Sequence, residues 1–285
     1  MLTELRKVIP SFLKRVDLPE RGGAWSAYLA DTRAETQRLA AKLFDGVESE
    51  PRPEVTLVDW DPDGEDKVIA AMLYPYTDLP DDQLLAHVRA MTDGERAEIV
   101  GAYVGERTNR RHKPGRALER TGYRFDVLSD YGAFRDLQRH RLLTIEWQTL
   151  GPTHGYDVPE AVVDAGVADE YEDSLARSAS LYEALAETAP EQAPYAIALA
   201  FKLRYSMQFN AREAIHLLEL RTGPQGHPTY RRVCQQMHRL IASQAGHAAI
   251  AGMMAFVDHQ TYDLERLDAE RRAEARRAPN DHAAC

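Results

Sequence analysis

The chain has 285 residues, 44% of them hydrophobic and 28% charged, with a formal charge of −10. That composition fits a soluble globular protein with a large core, and the acidic balance argues against general nucleic-acid binding, which favours basic surfaces. The two cysteines, Cys234 and Cys285, lack metal-ligand spacing, no apolar run approaches the roughly 18 residues that span a bilayer, and residues 1–23 lack a signal-peptide core, so we expect a cytoplasmic protein with no metal and no membrane partner.

Residues 1–23 read as a short helix and a turn at Pro19 and Gly22-Gly23. In 25–44, Trp25, Tyr28, Leu29, Leu39 and Leu43-Phe44 recur at helical spacing. Residues 55–61 alternate and predict a strand ended by Pro62-Asp-Gly. Residues 67–74 are helical or buried, and 81–105 form one or two helices, the second opened by a capping box at Thr92-x-x-Glu95. The most basic stretch, 107–117, is expected as an exposed loop. Alternation returns at 123–128, again a strand. Residues 159–185 read as one long helix with Asp157 as its cap and Pro159 in its first turn. Next come a strand at 202–208 and a long helix at 227–257, and 264–285 read as a frayed helix and a disordered end. These elements predict an α+β fold: a central mixed or antiparallel sheet of 55–60, 122–128 and 202–208, packed by long helices. The expected divisions are a helix-rich N-terminal extension (1–105) packed on a core (106–260), then a tail (261–285).

Arg139-His140-Arg141 sets three basic side chains directly before Leu142, Leu143, Ile145 and Trp147. Unpaired charge within core-like sequence costs several kcal/mol, so anionic partners are expected. An extended backbone would put Arg139 and Arg141 on one face and His140 on the other. Two neighbouring guanidiniums suit a phosphate, the carbonyl edge of a flavin-like ring, or an internal network with carboxylates. A second polar block runs from Asn210 to Arg221, and Asn210-x-x-Glu213 opens it like a helix cap. At about 100° per residue, Asn210, Ala214, Leu217 and Arg221 share one face, with Arg212, His216 and Glu219 nearly opposite. Such a helix either lies between two partners or sits on the surface with contacts among Arg212, His216 and Glu219.

Together these blocks resemble the flavin-dependent thymidylate synthase family. Its hallmark is Arg-His-Arg, seven residues, then Ser; here seven residues separate Arg141 from Thr149. Its Asn-x-Arg helix ends in Leu-Arg, as Asn210-x-Arg212 leads to Leu220-Arg221. The resemblance covers roughly residues 110–250 and implies a homotetramer with flavin sites between subunits. It also implies an enzyme using FAD, methylenetetrahydrofolate and NADPH to place a methyl group on a small-molecule acceptor.

By that resemblance Arg139, His140, Arg141, Asn210, Arg212 and His216 are expected to hold FAD, His216 standing where the family commonly has Asn. His112 lies two residues from the place of a flavin-contacting histidine, which Pro114 occupies. Arg221 takes the position of an arginine that holds the nucleotide, and with Thr149 it is the expected catalytic pair. Asp136 stands where a glutamine contacts uracil, and Trp147 replaces an acid. Substrate contacts are therefore expected from Asp136, Trp147, Thr149 and Arg221. Two arginines of the family pattern are missing, at Gly151 and at Pro194 or Tyr195. Each charge-assisted phosphate contact contributes about 1.5–3 kcal/mol, so the reading favours a heteroaromatic acceptor other than dUMP, lying on Trp147. The alternatives are an ordinary FAD-dependent thymidylate synthase making dTMP from dUMP and a non-catalytic structural relative.

Overall fold

A computed structural model describes residues 1–262 and 266–277. They fall into two compact units, Met1–Pro51 and a second beginning at Arg52. The first unit holds α1 (Leu2–Val8), α2 (Pro10–Leu13) and α3 (Gly23–Leu43). The expected apolar stripe of α3 forms, but Trp25, Tyr28, Leu29, Leu39 and Leu43 remain 41% to 67% exposed.

The second unit runs β1 (Val55–Trp60), α4 (Gly64–Leu73), α5 (Asp81–Arg89), α6 (Asp93–Val104), β2 (Gly122–Asp130), α7 (Tyr131–Leu137) and β3 (Thr144–Trp147). It continues with α8 (Glu160–Asp164), α9 (Ala168–Thr188), β4 (Lys202–Asn210), α10 (Ala211–Arg221), α11 (Pro228–Ser243), α12 (Ala248–Gly252) and α13 (Arg266–Arg277). Residues 52–105, assigned from sequence to an N-terminal extension, thus belong to the same unit as the core, and β1 pairs with β2.

The sheet is antiparallel throughout, in the order β1-β2-β4-β3. Its centre is the nine-residue ladder of β2 on β4, from Gly122 opposite Asn210 to Asp130 opposite Lys202. Alternation decides the buried face: Tyr123, Phe125, Val127 and Ser129 on β2, with Leu203, Tyr205, Met207 and Phe209 on β4, turn inward. Phe125 stacks on Phe209 at 5.6 Å between ring centroids, and Phe134 of α7 meets Tyr205 edge-on at 5.0 Å. The buried Tyr205 and Ser129 hydroxyls satisfy each other at 2.9 Å. The three expected strands are present. The fourth, β3, is a four-residue edge strand with little of the alternation that marks the others.

Two expected long helices are broken, each by a glycine in the left-handed region. Residues 159–185 divide into α8 and α9 around Gly166 (φ 70°), and 227–257 into α11 and α12 around Gly246 (φ 75°). Asp157 does not cap α8; it pairs with Lys202 at 2.6 Å, and Pro159 takes the cap position without a side-chain bond. The capping box at Thr92 and Glu95 forms in both directions. Of the expected tail, 266–277 is α13, and 263–265 and 278–285 lie outside the described residues.

Buried His247 ties the sheet to the start of α4. Its Nε2–H donates to the Asp61 carbonyl at 3.0 Å, and its Nδ1 accepts from the Tyr123 hydroxyl at 2.8 Å. Burial holds its pKa below the ordinary histidine value. A depressed folded-state pKa means the unfolded chain binds the extra proton first. The stabilisation is complete above about pH 6.5 and declines as the pH falls below it, by at most about 1.4 kcal/mol per pH unit. Urea midpoints are therefore expected to drop between pH 7.5 and 5.5, and to drop less in His247→Gln; an equal drop in both proteins would refute this.

Candidate functional site

Both blocks singled out from sequence meet at the end of α10. Asp130 caps α7 by accepting from the Ala133 amide at 2.7 Å, and Phe134 and Leu137 bury its inner face. The chain then turns at Gln138 and Arg139, with the His140 amide donating to the Leu137 carbonyl at 3.2 Å, before β3 begins. Arg139-His140-Arg141 is therefore a turn and not an extended segment. The two arginines are exposed and the histidine is inside, 8% exposed.

On α10, Asn210 caps the helix, its Oδ1 accepting from the Glu213 amide at 2.9 Å. The Glu213 carboxylate does not turn back to complete a capping box. It is 4% exposed and lies 2.8 Å from His140 Nδ1. A carboxylate only accepts, so Nδ1 carries the ring proton. The opposite nitrogen, Nε2, accepts from Arg221 Nε–H at 3.1 Å. Arg221 further donates from Nη2 to the Asp136 carbonyl at 2.7 Å and lies over the Tyr230 ring at 5.5 Å. The His216 ring lies tilted against His140 at 5.3 Å between centroids, and its Nδ1 accepts from the Lys113 ammonium at 3.1 Å. Burial first, and the Lys113 charge second, hold His216 below the usual histidine pKa.

These groups line a cavity of about 200 Å³ formed by Arg139, His140, Arg141, Leu142, Glu213, His216, Leu220 and Arg221. Its α10 wall uses positions 213, 216, 220 and 221, drawing one residue from each face read from sequence and two from the side between them. Five expected site residues come together here: Arg139, His140, Arg141, His216 and Arg221. The others lie elsewhere. Asn210 is the helix cap, and Asp136 holds Arg221 through both its carbonyl, at 2.7 Å, and its carboxylate, at 3.5 Å. Arg212 pairs with Glu119 at 2.9 Å, and exposed His112 bonds Asn109 at 3.0 Å. Trp147 ends β3 with its ring 5.5 Å from Phe134, and Thr149 is exposed beyond it. Glu213 and Lys113 were not singled out from sequence; Glu213 was legible only as a cap partner.

The contacts among Arg212, His216 and Glu219 that the surface-helix alternative required do not form. Each instead binds the basic stretch, a largely exposed loop as expected, which these bonds tie to α10. Arg107 forks onto Glu219 at 2.7 and 2.8 Å, Lys113 meets His216, and Arg212 reaches the Pro114 carbonyl at 3.4 Å. His140, Glu213 and His216 have ligand atoms within 4.8 Å of one another, as a metal site would. Arg221 and Lys113 already bond the two imidazoles, however, and Arg139 and Arg141 stand at the rim. The charge of this cavity suits an anion.

Residues 56–245 match the family described as "Thymidylate synthase complementing protein". The chain belongs to that family. UPF0159 proteins of Chlamydia pneumoniae and Chlamydia muridarum are each 36% identical to it, over 274 and 277 residues, covering 96% of this chain but 51% and 52% of their own. A UPF0159 protein of Thermoplasma acidophilum is 33% identical over 238 residues, covering 82% of this chain and 47% of its own. The chain thus spans about half the length of the curated relatives it matches. Among solved structures, the UMP/dUMP methylase PolB from Streptomyces cacaoi, bound with 5-Br dUMP, superposes with a TM-score of 0.55 at 18% identity, covering 72% of this chain and 97% of PolB. Thymidylate synthase X from Helicobacter pylori, with FAD and dUMP, does so at 0.51 and 15%, covering 70% of this chain and 98% of the other. At these identities the likeness establishes the α+β fold.

Proposed function

We propose that this protein is a flavin-dependent enzyme that transfers a one-carbon unit, reduced to methyl, onto a small nucleotide-like heteroaromatic acceptor. The observation that carries the reading is the Arg221–His140–Glu213 chain opening onto Arg139 and Arg141. Among the described residues Arg139 reaches only Asp136, at 3.7 Å, and Arg141 has no ion pair or hydrogen bond. Two uncommitted guanidiniums beside a fixed third form a donor set that fits the phosphates and carbonyl edge of FAD and the anionic end of a nucleotide.

Arg139, Arg141 and His216 would hold the flavin, with Asn210 and Arg212 supporting α10 and its strap. Bound flavin supplies the reducing equivalents, replenished from NADPH, while methylenetetrahydrofolate supplies the carbon. The task of the chain is to bind and align, and Arg221, held at two nitrogens, presents a fixed cation to the acceptor. The cavity of about 200 Å³ is below the 300–1,000 Å³ of typical ligand sites. Its size supports completion of the site by other subunits of a homotetramer. Light scattering at micromolar concentration is expected to give about four times the 32.1 kDa chain mass, and a monomeric mass would count against this.

The acceptor need not be dUMP. Gly151 stands where the family pattern has an arginine, and a Cβ there would already meet the Tyr182 hydroxyl at 3.1 Å, so Tyr182 fills that space. Tyr195, at the other missing arginine, is 91% exposed. The second reading, ordinary dTMP synthesis from dUMP, is favoured by the solved relative that holds FAD and dUMP on this fold. Calorimetric titration of dUMP into the FAD-loaded protein separates the two. A changed acceptor predicts near-millimolar binding, whereas micromolar binding with tritium release from C5-labelled dUMP establishes thymidylate synthesis. A purified protein that is colourless and takes up no FAD would overturn both.

A further inference from the structure

Glu213 is a buried part of the cavity wall, and the proposed chemistry gives it no contact with cofactor or acceptor. We infer that Glu213 is a positioning residue, which sets the tautomer of His140 and through it the placement of Arg221. Its own position is fixed twice, by the Asn210 cap on its amide and by burial of its side chain. From there the carboxylate takes the Nδ1 proton of His140 in a hydrogen bond, leaving the Nε2 lone pair for Arg221. A guanidinium has no acceptor, so this is the one neutral tautomer compatible with the Arg221 contact.

Without an acceptor at position 213, the buried Nδ1–H would be unpaired, which favours moving the proton to Nε2. That change places two N–H groups face to face across the 3.1 Å between His140 and Arg221. Arg221 would then lose that contact and, held through Asp136, reorient, although no group at the cavity mouth had been altered. Arg139 and Arg141 do not depend on this chain, so flavin retention and acceptor binding respond differently to Glu213. The task of Arg221 rests on the proposed function; the tautomer of His140 does not.

The experiment uses the full chain, 15N-labelled at histidine, with Glu213→Leu and Glu213→Gln. Two-bond 1H–15N spectra of the ligand-free proteins report which ring nitrogen of His140 is protonated. The wild type is expected to show Nδ1–H, Glu213→Gln to retain it because an acceptor oxygen remains, and Glu213→Leu to shift toward Nε2–H. In the FAD-loaded proteins, dUMP affinity is expected to fall at least about ten-fold in Glu213→Leu and much less in Glu213→Gln, with FAD retained in both. An Nε2–H wild type, an unchanged tautomer in Glu213→Leu, or an unchanged dUMP affinity in that variant would overturn the assignment. If Glu213→Leu does not fold, Arg221→Met serves: the proton is expected to stay on Nδ1, and its migration would make Arg221 the determinant instead. Should the wild type bind neither FAD nor dUMP, the functional reading fails, while the tautomer measurement still decides the role of Glu213.

Discussion

Replacing Arg139 and Arg141 together by alanine is expected to abolish flavin retention while leaving the circular dichroism spectrum largely helical. Both side chains are exposed at the cavity rim, and the ion pair of Arg139 with Asp136 is long, at 3.7 Å. Their removal therefore takes little from the fold. If each contributes one charge-assisted contact to FAD, the pair is worth about 3–6 kcal/mol, or roughly 10²- to 10⁴-fold in affinity. A loss of that size turns a retained cofactor into one lost on dilution. Unchanged FAD affinity in the double variant would sink the assignment of these two residues.

The second large effect concerns the strap along α10. Arg107 and Glu219 form a forked pair whose side chains are 3% and 1% exposed. Arg107 also donates to the Met253 carbonyl at 2.6 Å and to the His112 carbonyl at 2.6 Å, and it lies 5.2 Å above the Phe256 ring. One guanidinium thus joins the basic stretch, α10 and the segment after α12. Arg107→Met leaves Glu219 buried without a cation, and breaking such a pair from one side costs about 3–5 kcal/mol. Removing both partners is milder, because no lone charge remains. In urea unfolding, Arg107→Met is expected to lose several kcal/mol, and Arg107→Met with Glu219→Met to recover part of it. A loss below about 1 kcal/mol in the single variant would show that water reaches Glu219. Since the same strap carries Lys113 to His216, which is assigned to the flavin, FAD binding should weaken alongside stability.

Several features were legible residue by residue. Alternation at 123–128 and the strand read at 202–208 placed the two segments that became β2 and β4, the centre of the sheet. The Thr92–Glu95 box and the Asn210 cap are local, satisfied within three residues, and formed as read. The two long helices were over-read because their apolar periodicity continues across Gly166 and Gly246. Periodicity reports which face is greasy and says nothing of a backbone reversal at one residue. The strand β3 was missed for the opposite reason: four residues at an edge hold too little pattern to announce themselves.

In the site, the sequence by itself determined that two basic and polar blocks existed, and their resemblance to a family directed attention to five residues that do converge. Which charges are buried was decided only by tertiary structure. Arg139 and Arg141 look identical to their neighbour His140 as members of a cationic cluster, yet only the histidine enters the core. It does so because Glu213, 73 residues away, accepts its proton and Arg221, 81 residues away, occupies its other nitrogen. Glu219 is buried for the same reason, with Arg107 across a separation of 112 residues. A buried charge or polar ring is tolerable only with its partner in place, and partners so distant in sequence are supplied by the packing of α10 against the turn and the basic strap, which no local pattern encodes.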